Sequence, residues 1–214
     1  MKRLIFVRHG QSIGNINPQA YFENIDCDIL LTKTGEEQAK NAQASLRKCI
    51  SNLFPADYNY DLYVSPYKRA VDTAKIITDF DHGGHSKPRH IQDARLRERA
   101  WGGLRELTMQ NLHNDTHFNF FYRPENGESF ADCFDRACNF DNSLQLHGHP
   151  KTNVIISHGE FIKCYMMYKL GWTLDDFCKM RNPWNAEVIE LEFTGLRWDL
   201  VSHENFLKVD EKIS

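Results

Sequence analysis

The chain has 214 residues, 41% of them hydrophobic and 26% charged, with a formal net charge of −3. This length supports one sizeable core, so we expect one domain over residues 1–214. The small negative charge argues against a nucleic-acid partner recruited by net charge, and no apolar run approaches the ~20 residues of a membrane span. We therefore expect neither nucleic acid nor a membrane as a partner.

The first residues of the chain and its cysteines indicate the cellular compartment. The sequence leads directly into a predicted strand, without the charged, apolar and cleavage regions of a secretory signal. Six cysteines are scattered along the chain, with no Cys-x-x-Cys pair. Both features predict a cytoplasmic protein with reduced cysteines.

The first predicted strand ends in residues that suit an anion. Lys2–Val7 is an apolar, β-branched run typical of a buried strand, and Arg8, His9 and Gly10 follow it directly. In α/β proteins, ligands bind beyond the carboxyl ends of the strands. Arg8 offers a planar fork of donors for an oxyanion, His9 a nucleophilic or proton-carrying ring, and Gly10 a backbone that can come close to a ligand. Taken alone, these residues could equally form a polar turn.

The connection after this strand is long. Residues 13–33 are polar and are predicted to be irregular, so we expect them to cover a site or to be mobile. Asn15 lies near enough to the strand end to reach a ligand held at His9. Thr34–Glu37 has the capping-box pattern and predicts the start of a helix. The apolar face of that helix carries Ala39, Ala42, Leu46 and Ile50.

A second strand and helix repeat the arrangement. Leu62–Val64 is a short predicted strand. Ser65 and Pro66 follow it and are typical of an N-cap and of the first helical position. Arg69 falls in the first turn of this helix, at the carboxyl edge of the sheet, where it would lie close to the end of the first strand. An exposed surface arginine is the alternative interpretation.

Residues 95–99 place one acid, Glu98, among three arginines. They form either a solvated turn with weak ion pairs or a carboxyl group that faces an anionic site lined by arginine. Trp101 and Gly102 follow directly and predict a close-packed turn beside this acid.

The segment 112–123 is rich in aromatic residues and is predicted to be a helix or a flap. His113 and His117 within it have the spacing of a zinc-binding helix, but Asn114 stands where a metalloprotease needs glutamate. We interpret both as surface histidines and predict no metal site.

A second His-Gly pair follows a second predicted strand. Asn153–Ser157 is a short β-branched run that leads into His158 and Gly159. If the two strands are adjacent in the sheet, His158 and His9 lie around one cavity. This repetition is the strongest independent evidence for a functional site.

Together these motifs resemble the histidine phosphatase superfamily, which includes the cofactor-dependent phosphoglycerate mutases and many small phosphatases. Each motif is weak alone, but the set spans nearly the whole chain. The matching segments, in chain order, are Arg8–Ser12 with Asn15, Ser65–Ala74 with Arg69, Leu96–Gly102 with Glu98, Gly127–Ser129, and Ser157–Gly159.

A further pattern is similar to a compact phosphatase subgroup of plants and fungi. It consists of Asn182, Pro183 and Asn185. That subgroup often carries aspartate where this chain has Ala100, and the superfamily commonly has glutamate where this chain has Gln11. A substrate preference that depends on that aspartate is therefore not implied here.

The resemblance implies a fold: a three-layer α/β/α sandwich with a mostly parallel central sheet, as in phosphoglycerate mutase. The strands ending at Val7 and Ser157 should be neighbours in this sheet. Their histidine rings should then contact one phosphate, which requires them to lie within about 10 Å of each other, because hydrogen bonds are ~3 Å long.

The resemblance also implies a mechanism. His9 attacks phosphorus and becomes a phosphohistidine, while Arg8, Arg69 and His158 bind the phosphoryl oxygens. Glu98 protonates the leaving alkoxide and then activates water. The arginines beside Glu98 would lower its pKa and a bound phosphate dianion would raise it, and the sequence leaves this balance open.

The substrate is expected to be a small phosphorylated molecule. Arginines and histidines supply the positive charge, so we predict no metal and no other cofactor. Substrate contacts are expected from Asn15, Ser12, Gly159, Arg99 and Trp101, with Arg105, Tyr122 and Arg123 as further candidates.

Three functions are compatible with this pattern. The first is a phosphomonoester phosphatase. The second is a mutase, but mutases of this family carry longer insertions over the substrate, and the stretch from Glu98 to His158 is short for that. The third is a non-catalytic protein that binds a phosphorylated ligand on the same fold, although none of the expected catalytic residues is missing.

Overall fold

The computed structural model describes residues 2–51, 60–79, 88–102, 119–146 and 152–201. The predicted contact residue Arg105 and the histidine pair His113 and His117 lie outside these ranges.

The described strands form one six-stranded sheet in the order β3-β2-β4-β1-β5-β6. The first four strands in this order are mutually parallel, whereas β5 runs antiparallel to β1 and β6 antiparallel to β5. The bounds are β1 Arg3–Arg8, β2 Tyr60–Val64, β3 Arg89–Gln92, β4 Thr152–Ser157, β5 Val188–Phe193 and β6 Trp198–Leu200.

The two strands that carry the histidine motifs are neighbours, as predicted. In the parallel register of β1 and β4, Val7 is opposite Ile156 and Arg8 is opposite Ser157. Because parallel strands end at the same edge of a sheet, both His-Gly turns leave it side by side.

Helices cover both faces of this sheet. Their bounds are α1 Ile13–Ile16, α2 Ala20–Glu23, α3 Lys33–Ser51, α4 Lys68–Ile77, α5 Phe130–Leu146, α6 Gly159–Leu170 and α7 Leu174–Lys179, with 3₁₀ turns at Asp26–Asp28 and Ala94–Leu96. None of the described helices is long and apolar enough to cross a membrane.

The alternation of side chains along β1 divides the core into two layers. Ile5 and Val7 belong to a cluster with the apolar faces of α3 and α4, whereas Leu4 and Phe6 belong to a cluster with α5 and α6. Successive residues of a strand point to opposite faces, so a strand apolar at every position is buried on both sides. The predicted three-layer α/β/α sandwich is confirmed.

Three local predictions need correction. Helix α3 is capped by Thr32, whose hydroxyl accepts from the Gly35 N–H at 3.0 Å, and not by Thr34. Helix α4 begins at Lys68, so Ser65 is no N-cap. The connection 13–33 contains α1, α2 and a 3₁₀ turn where irregular chain is predicted.

All six cysteines lie in the described ranges, and none forms a disulfide.

Candidate active site

His9 is held at the carboxyl end of β1 by its own backbone surroundings. Its Nδ1 lies 2.7 Å from the carbonyl oxygen of Gly10. A carbonyl oxygen only accepts, so Nδ1 carries the hydrogen and Nε2 keeps its lone pair. Burial, with the charges of Arg69 and Arg8 nearby, holds the pKa of His9 well below its usual value. The ring is therefore neutral, as a nucleophile must be.

The backbone around His9 is fixed by close packing. The Gly10 N–H donates to the Thr73 hydroxyl at 3.0 Å. A Cβ on Gly10 would lie 2.3 Å from the carbonyl oxygen of Gly35, far inside contact distance. Glycine is therefore required at position 10, because the turn after β1 rests directly on the first turn of α3.

Two arginines flank His9. Within the described residues, each uses one guanidinium nitrogen, Nη1, to bond to the protein and leaves Nε without a partner. Arg8 Nη1 donates to the Pro183 carbonyl at 2.6 Å. Arg69 is 1% exposed, and its Nη1 donates to the carbonyl and the carboxylate of Asp26 at 2.7 and 2.9 Å. The Nε atoms of both arginines are buried without a hydrogen-bond partner in the described part of the chain. Buried donors of this kind are rarely left unpaired, so both suit an oxyanion.

His158 lies beside His9, with 5.0 Å between the ring centroids. This is well within the separation required for contact with one phosphate. The ring is fully buried. Its Nε2 is 2.8 Å from the hydroxyl of Ser65, and its Nδ1 has no hydrogen-bond partner among the described residues. Burial, together with the charge of Arg69, keeps the pKa of His158 well below its usual value.

Glu98 faces the same cavity and accepts hydrogen bonds from backbone N–H groups. Arg99 N donates to Oε1 at 3.0 Å, Phe161 N to Oε1 at 3.2 Å, and Glu160 N to Oε2 at 3.4 Å. The last two come from the first turn of α6. Burial, and then the nearby charge of Glu160, raises the pKa of Glu98 to about 7, so this carboxyl group can carry a proton near neutral pH.

The segment 95–99, which carries Glu98, is anchored by a buried ion pair between Arg136 and Glu128. Arg136 Nη2 donates to Glu128 Oε2 at 2.8 Å, and its Nη1 donates to the carbonyls of Arg95 and Arg97 at 2.6 and 2.7 Å. The hydroxyl of Ser157 donates to the Leu96 carbonyl at 2.7 Å. The end of β4 and helix α5 therefore position Glu98 through the backbone.

The side chains of the Arg99–Trp101 stretch pair with Glu160. Arg99 Nε donates to Glu160 Oε2 at 2.7 Å, and Trp101 Nε1 donates to the same oxygen at 3.0 Å. Arg99 also donates to the Glu128 carbonyl at 3.0 Å and stacks on the ring of Phe130, 4.2 Å from its centroid. The guanidinium of Arg99 is thus largely engaged within the protein.

The structure places most predicted site residues on one cavity of about 260 Å³. Ser12 and His158 are not among the residues that line it, although the ring of His158 lies against that of His9. Ser12 is fully buried, and its hydroxyl donates to Asn15 Oδ1 at 3.1 Å, so it orients Asn15. The predicted residues that line the cavity are Arg8, His9, Asn15, Arg69, Glu98, Arg99, Trp101 and Gly159.

The candidates Tyr122 and Arg123 are not brought to this cavity. Tyr122 is 48% exposed. Arg123 forms an ion pair with Asp132 at the start of α5, on the surface. Neither side chain is among those that line the cavity.

The cavity also has residues that sequence reasoning missed. Tyr21, Phe22, Asp26 and Glu160 contribute to its wall, and Asn182 closes it near Gly159. Only Asn182 carries a signal in the sequence, because it belongs to the Asn-Pro-x-Asn pattern. Within the described residues, no group of three or more histidine, cysteine or acidic side chains is placed to hold a metal ion.

A model of the histidine phosphatase superfamily (branch 1) matches residues 4–205. The chain belongs to the histidine phosphatase superfamily. The resemblance expected from its motifs is therefore confirmed.

Two curated relatives come from a plant and a yeast. The phosphoglycerate mutase-like protein AT74 of Arabidopsis thaliana is 34% identical over 208 residues, which cover 89% of this chain and 65% of AT74. The broad-range acid phosphatase DET1 of Saccharomyces cerevisiae is 23% identical over 88% of this chain and 84% of DET1. The chain thus spans just under two thirds of the length of AT74.

Among solved structures, a mycobacterial glucosyl-3-phosphoglycerate phosphatase in complex with VO3 superposes with a TM-score of 0.73. It is 23% identical and covers 94% of this chain and 98% of its own. At this identity the likeness supports the fold alone.

Proposed function

We propose that this protein is a phosphomonoester phosphatase that works through a phosphohistidine at His9. The main support for the proposal is that buried polar groups without hydrogen-bond partners lie around the ring of His9. A neutral imidazole with its Nδ1 held by Gly10 lies among Arg8 Nε, Arg69 Nε and His158 Nδ1, all buried without hydrogen-bond partners among the described residues. A phosphoryl group would satisfy these donors and meet the lone pair of His9 Nε2.

In the first step Nε2 of His9 attacks phosphorus as the bond to the leaving oxygen breaks. Arg8, Arg69 and His158 stabilise the charge that spreads over the phosphoryl oxygens. The charge on His9 that develops with the new bond is stabilised by the Nδ1–H bond to Gly10. Glu98 gives its proton to the departing alkoxide, and its pKa of about 7 leaves it partly protonated at neutral pH.

In the second step Glu98, now ionised, accepts a proton from water, which attacks phosphorus and releases His9. One group serves both steps because protonation of the leaving group and deprotonation of water occur at the same face of the phosphoryl group. The aromatic side chains of Tyr21, Phe22 and Trp101 line the cavity and would contact the leaving group. We propose that the substrate is a small phosphorylated molecule and that no metal or other cofactor takes part.

A mutase is the second candidate, because curated relatives include 2,3-bisphosphoglycerate-dependent phosphoglycerate mutases. The phosphatase is favoured by the surroundings of Arg99. This guanidinium is paired with Glu160, so within the described residues it offers little positive charge for a second phosphate.

The proposal is tested by phosphate release from sugar phosphates, nucleotides and phosphopeptides in the presence of a metal chelator. We expect turnover of at least one phosphomonoester class, unchanged by the chelator. Activity that requires added metal would contradict the mechanism. Faster conversion of 3-phosphoglycerate to 2-phosphoglycerate with bisphosphoglycerate than to free phosphate would identify a mutase, and binding without turnover would identify a phospholigand-binding protein.

A further inference from the structure

Two carboxyl groups share one wall of the cavity, and they have different partners. Glu98 and Glu160 both line it. They are also joined through the backbone, since the Glu160 N–H lies 3.4 Å from Glu98 Oε2. The negative charge of Glu160 opposes the loss of a proton from Glu98, and it raises the pKa of Glu98.

Glu160 is the carboxylate with cationic and side-chain partners. Its Oε2 accepts from Arg99 Nε at 2.7 Å and from Trp101 Nε1 at 3.0 Å, and its Oε1 is 3.3 Å from Arg99 Nη2. The side chains of Arg99 and Glu160 are only 7% and 12% exposed. Glu160 is therefore tied to a guanidinium by charge-assisted hydrogen bonds.

Within the described residues, the carboxyl group of Glu98 accepts hydrogen bonds from three backbone N–H groups, those of Arg99, Glu160 and Phe161. Burial is the main cause of its raised pKa, and the negative charge of Glu160 is the second. The arginines oppose both effects without cancelling them. The titratable or charged groups that interact electrostatically with Glu98 are Arg8 of β1, Tyr21 of α2, Tyr67 and Arg69 at the start of α4, the adjacent Arg99, Arg136 of α5, and Glu160 and Cys164 of α6.

We propose that Glu160 is a positioning residue that keeps the proton on Glu98 between turnovers and thereby sets the upper pH limit of the phosphorylation step. The proposal rests on the phosphatase mechanism given above. Glu160 itself transfers no proton. It acts through Glu98, by its negative charge.

The alternative is that Glu160 only clamps Arg99 and Trp101 in place. The two roles differ in their pH dependence. Loss of a clamp would change activity by a similar factor at every pH. Loss of a charge that retains the proton of Glu98 would leave activity unchanged at low pH and lower it only once the pH is high enough for Glu98 to ionise.

The experiment compares kcat/KM against pH for the wild type and Glu160→Gln, with β-glycerophosphate and with p-nitrophenyl phosphate. Glu98 must be protonated for an alkoxide to leave, so wild-type activity on β-glycerophosphate should fall as pH rises through about 7. Removing the charge of Glu160 should move this fall to lower pH by about one unit. Above both midpoints the variant should therefore be about tenfold slower, and well below them it should equal the wild type.

Two variants serve as controls. Glu160→Asp keeps the charge and should return the midpoint towards that of the wild type. Trp101→Phe removes the indole donor to Glu160 but leaves the charge of Glu160 in place. It should therefore alter the packing of the cavity wall without lowering the pH midpoint of the activity profile. For p-nitrophenyl phosphate the three variants should show no such pH-dependent loss, because a nitrophenolate leaves without a proton. The wild type and the variants are compared on the same substrate, so ionisation of the substrate itself affects all of their pH profiles equally.

A second readout does not depend on activity. In protein carrying carboxyl-labelled glutamate, carbon NMR follows the titration of Glu98, whose signal is identified by its loss in Glu98→Gln. Glu160→Gln should lower this midpoint even if no phosphomonoester proves to be a substrate, so failure of the proposed function is distinguishable from failure of this inference. Coincident Glu98 titrations in the wild type and Glu160→Gln would overturn it.

Discussion

Replacement of His9 by asparagine should lower kcat for every phosphomonoester by roughly 10⁴-fold or more, the scale seen when a covalent nucleophile is removed. The Asn amide can still donate to the Gly10 carbonyl, which now accepts from His9 Nδ1 at 2.7 Å. The turn after β1 should therefore keep its shape while the nucleophilic Nε2 is lost. Initial rates of phosphate release under saturating substrate measure the effect.

His90→Asn is the matched control, since His90 lies on the exposed edge strand β3 and is not among the cavity residues. It should retain wild-type turnover, and both variants should unfold at nearly the wild-type temperature. A loss of less than tenfold in His9→Asn, with the fold intact, would mean that phosphate is transferred directly to water.

Replacement of Glu98 by glutamine should lower kcat/KM by roughly 10²–10⁴-fold for alkyl and sugar phosphates, the usual contribution of general acid catalysis. Gln keeps the shape and can still accept from the Arg99 and Phe161 N–H groups, but it has no proton to give. A sugar alkoxide cannot leave without that proton. A nitrophenolate can, so the loss in the first step should be small for p-nitrophenyl phosphate.

Burst kinetics separate the two roles of Glu98. With p-nitrophenyl phosphate the variant should release one rapid equivalent of nitrophenolate and then turn over slowly, because Glu98 also activates water. Glu36→Gln, on the exposed surface of α3, is the matched control and should behave as the wild type. An equal loss for both substrate types, without a burst, would make Glu98 structural.

The positions of the main site residues at the strand ends could be predicted from the sequence, because the motifs that indicate them are local. An apolar run followed by Arg-His-Gly or Ser-His-Gly indicates a strand end, and parallel strands bring such ends to one edge. The pairing of Val7 with Ile156 needed only the further inference that the two strands are neighbours. Arg69 could be placed by the same reasoning, since a helix that follows a strand begins at that edge.

What the sequence could not predict depends on contacts between distant residues. Asp26 holds Arg69 across 43 positions, and Glu160 pairs with Arg99 across 61. Ser65 has the sequence signal of an N-cap, but its hydroxyl contacts the ring of His158. No periodicity or motif encodes these pairings, because they arise from how the loops meet above the sheet.

The pKa of Glu98 illustrates the same limit in energetic terms. Neighbouring arginines in the sequence suggest a lowered pKa, yet burial and the carboxylate of Glu160 raise it to about 7. Backbone N–H bonds and the charges of Arg8 and Arg69 only partly offset these effects. Whether the raising or the lowering effects on this pKa are larger depends on how deeply Glu98 is buried. That burial follows from the packing of α6 and of the segment 95–99 around one cavity.

If phosphate passes through His9, a phosphorylated form of the enzyme can be trapped, and its detection distinguishes covalent transfer from direct attack by water. Glu98→Gln should be mixed with a labelled aryl phosphate, quenched without acid, and analysed by intact mass spectrometry and peptide mapping. We predict one phosphoryl group per chain, on His9, labile to acid and stable to base, and absent when His9→Asn is combined with Glu98→Gln. Label on a serine or cysteine, or turnover without any phosphorylated enzyme, would rule out His9 as the nucleophile.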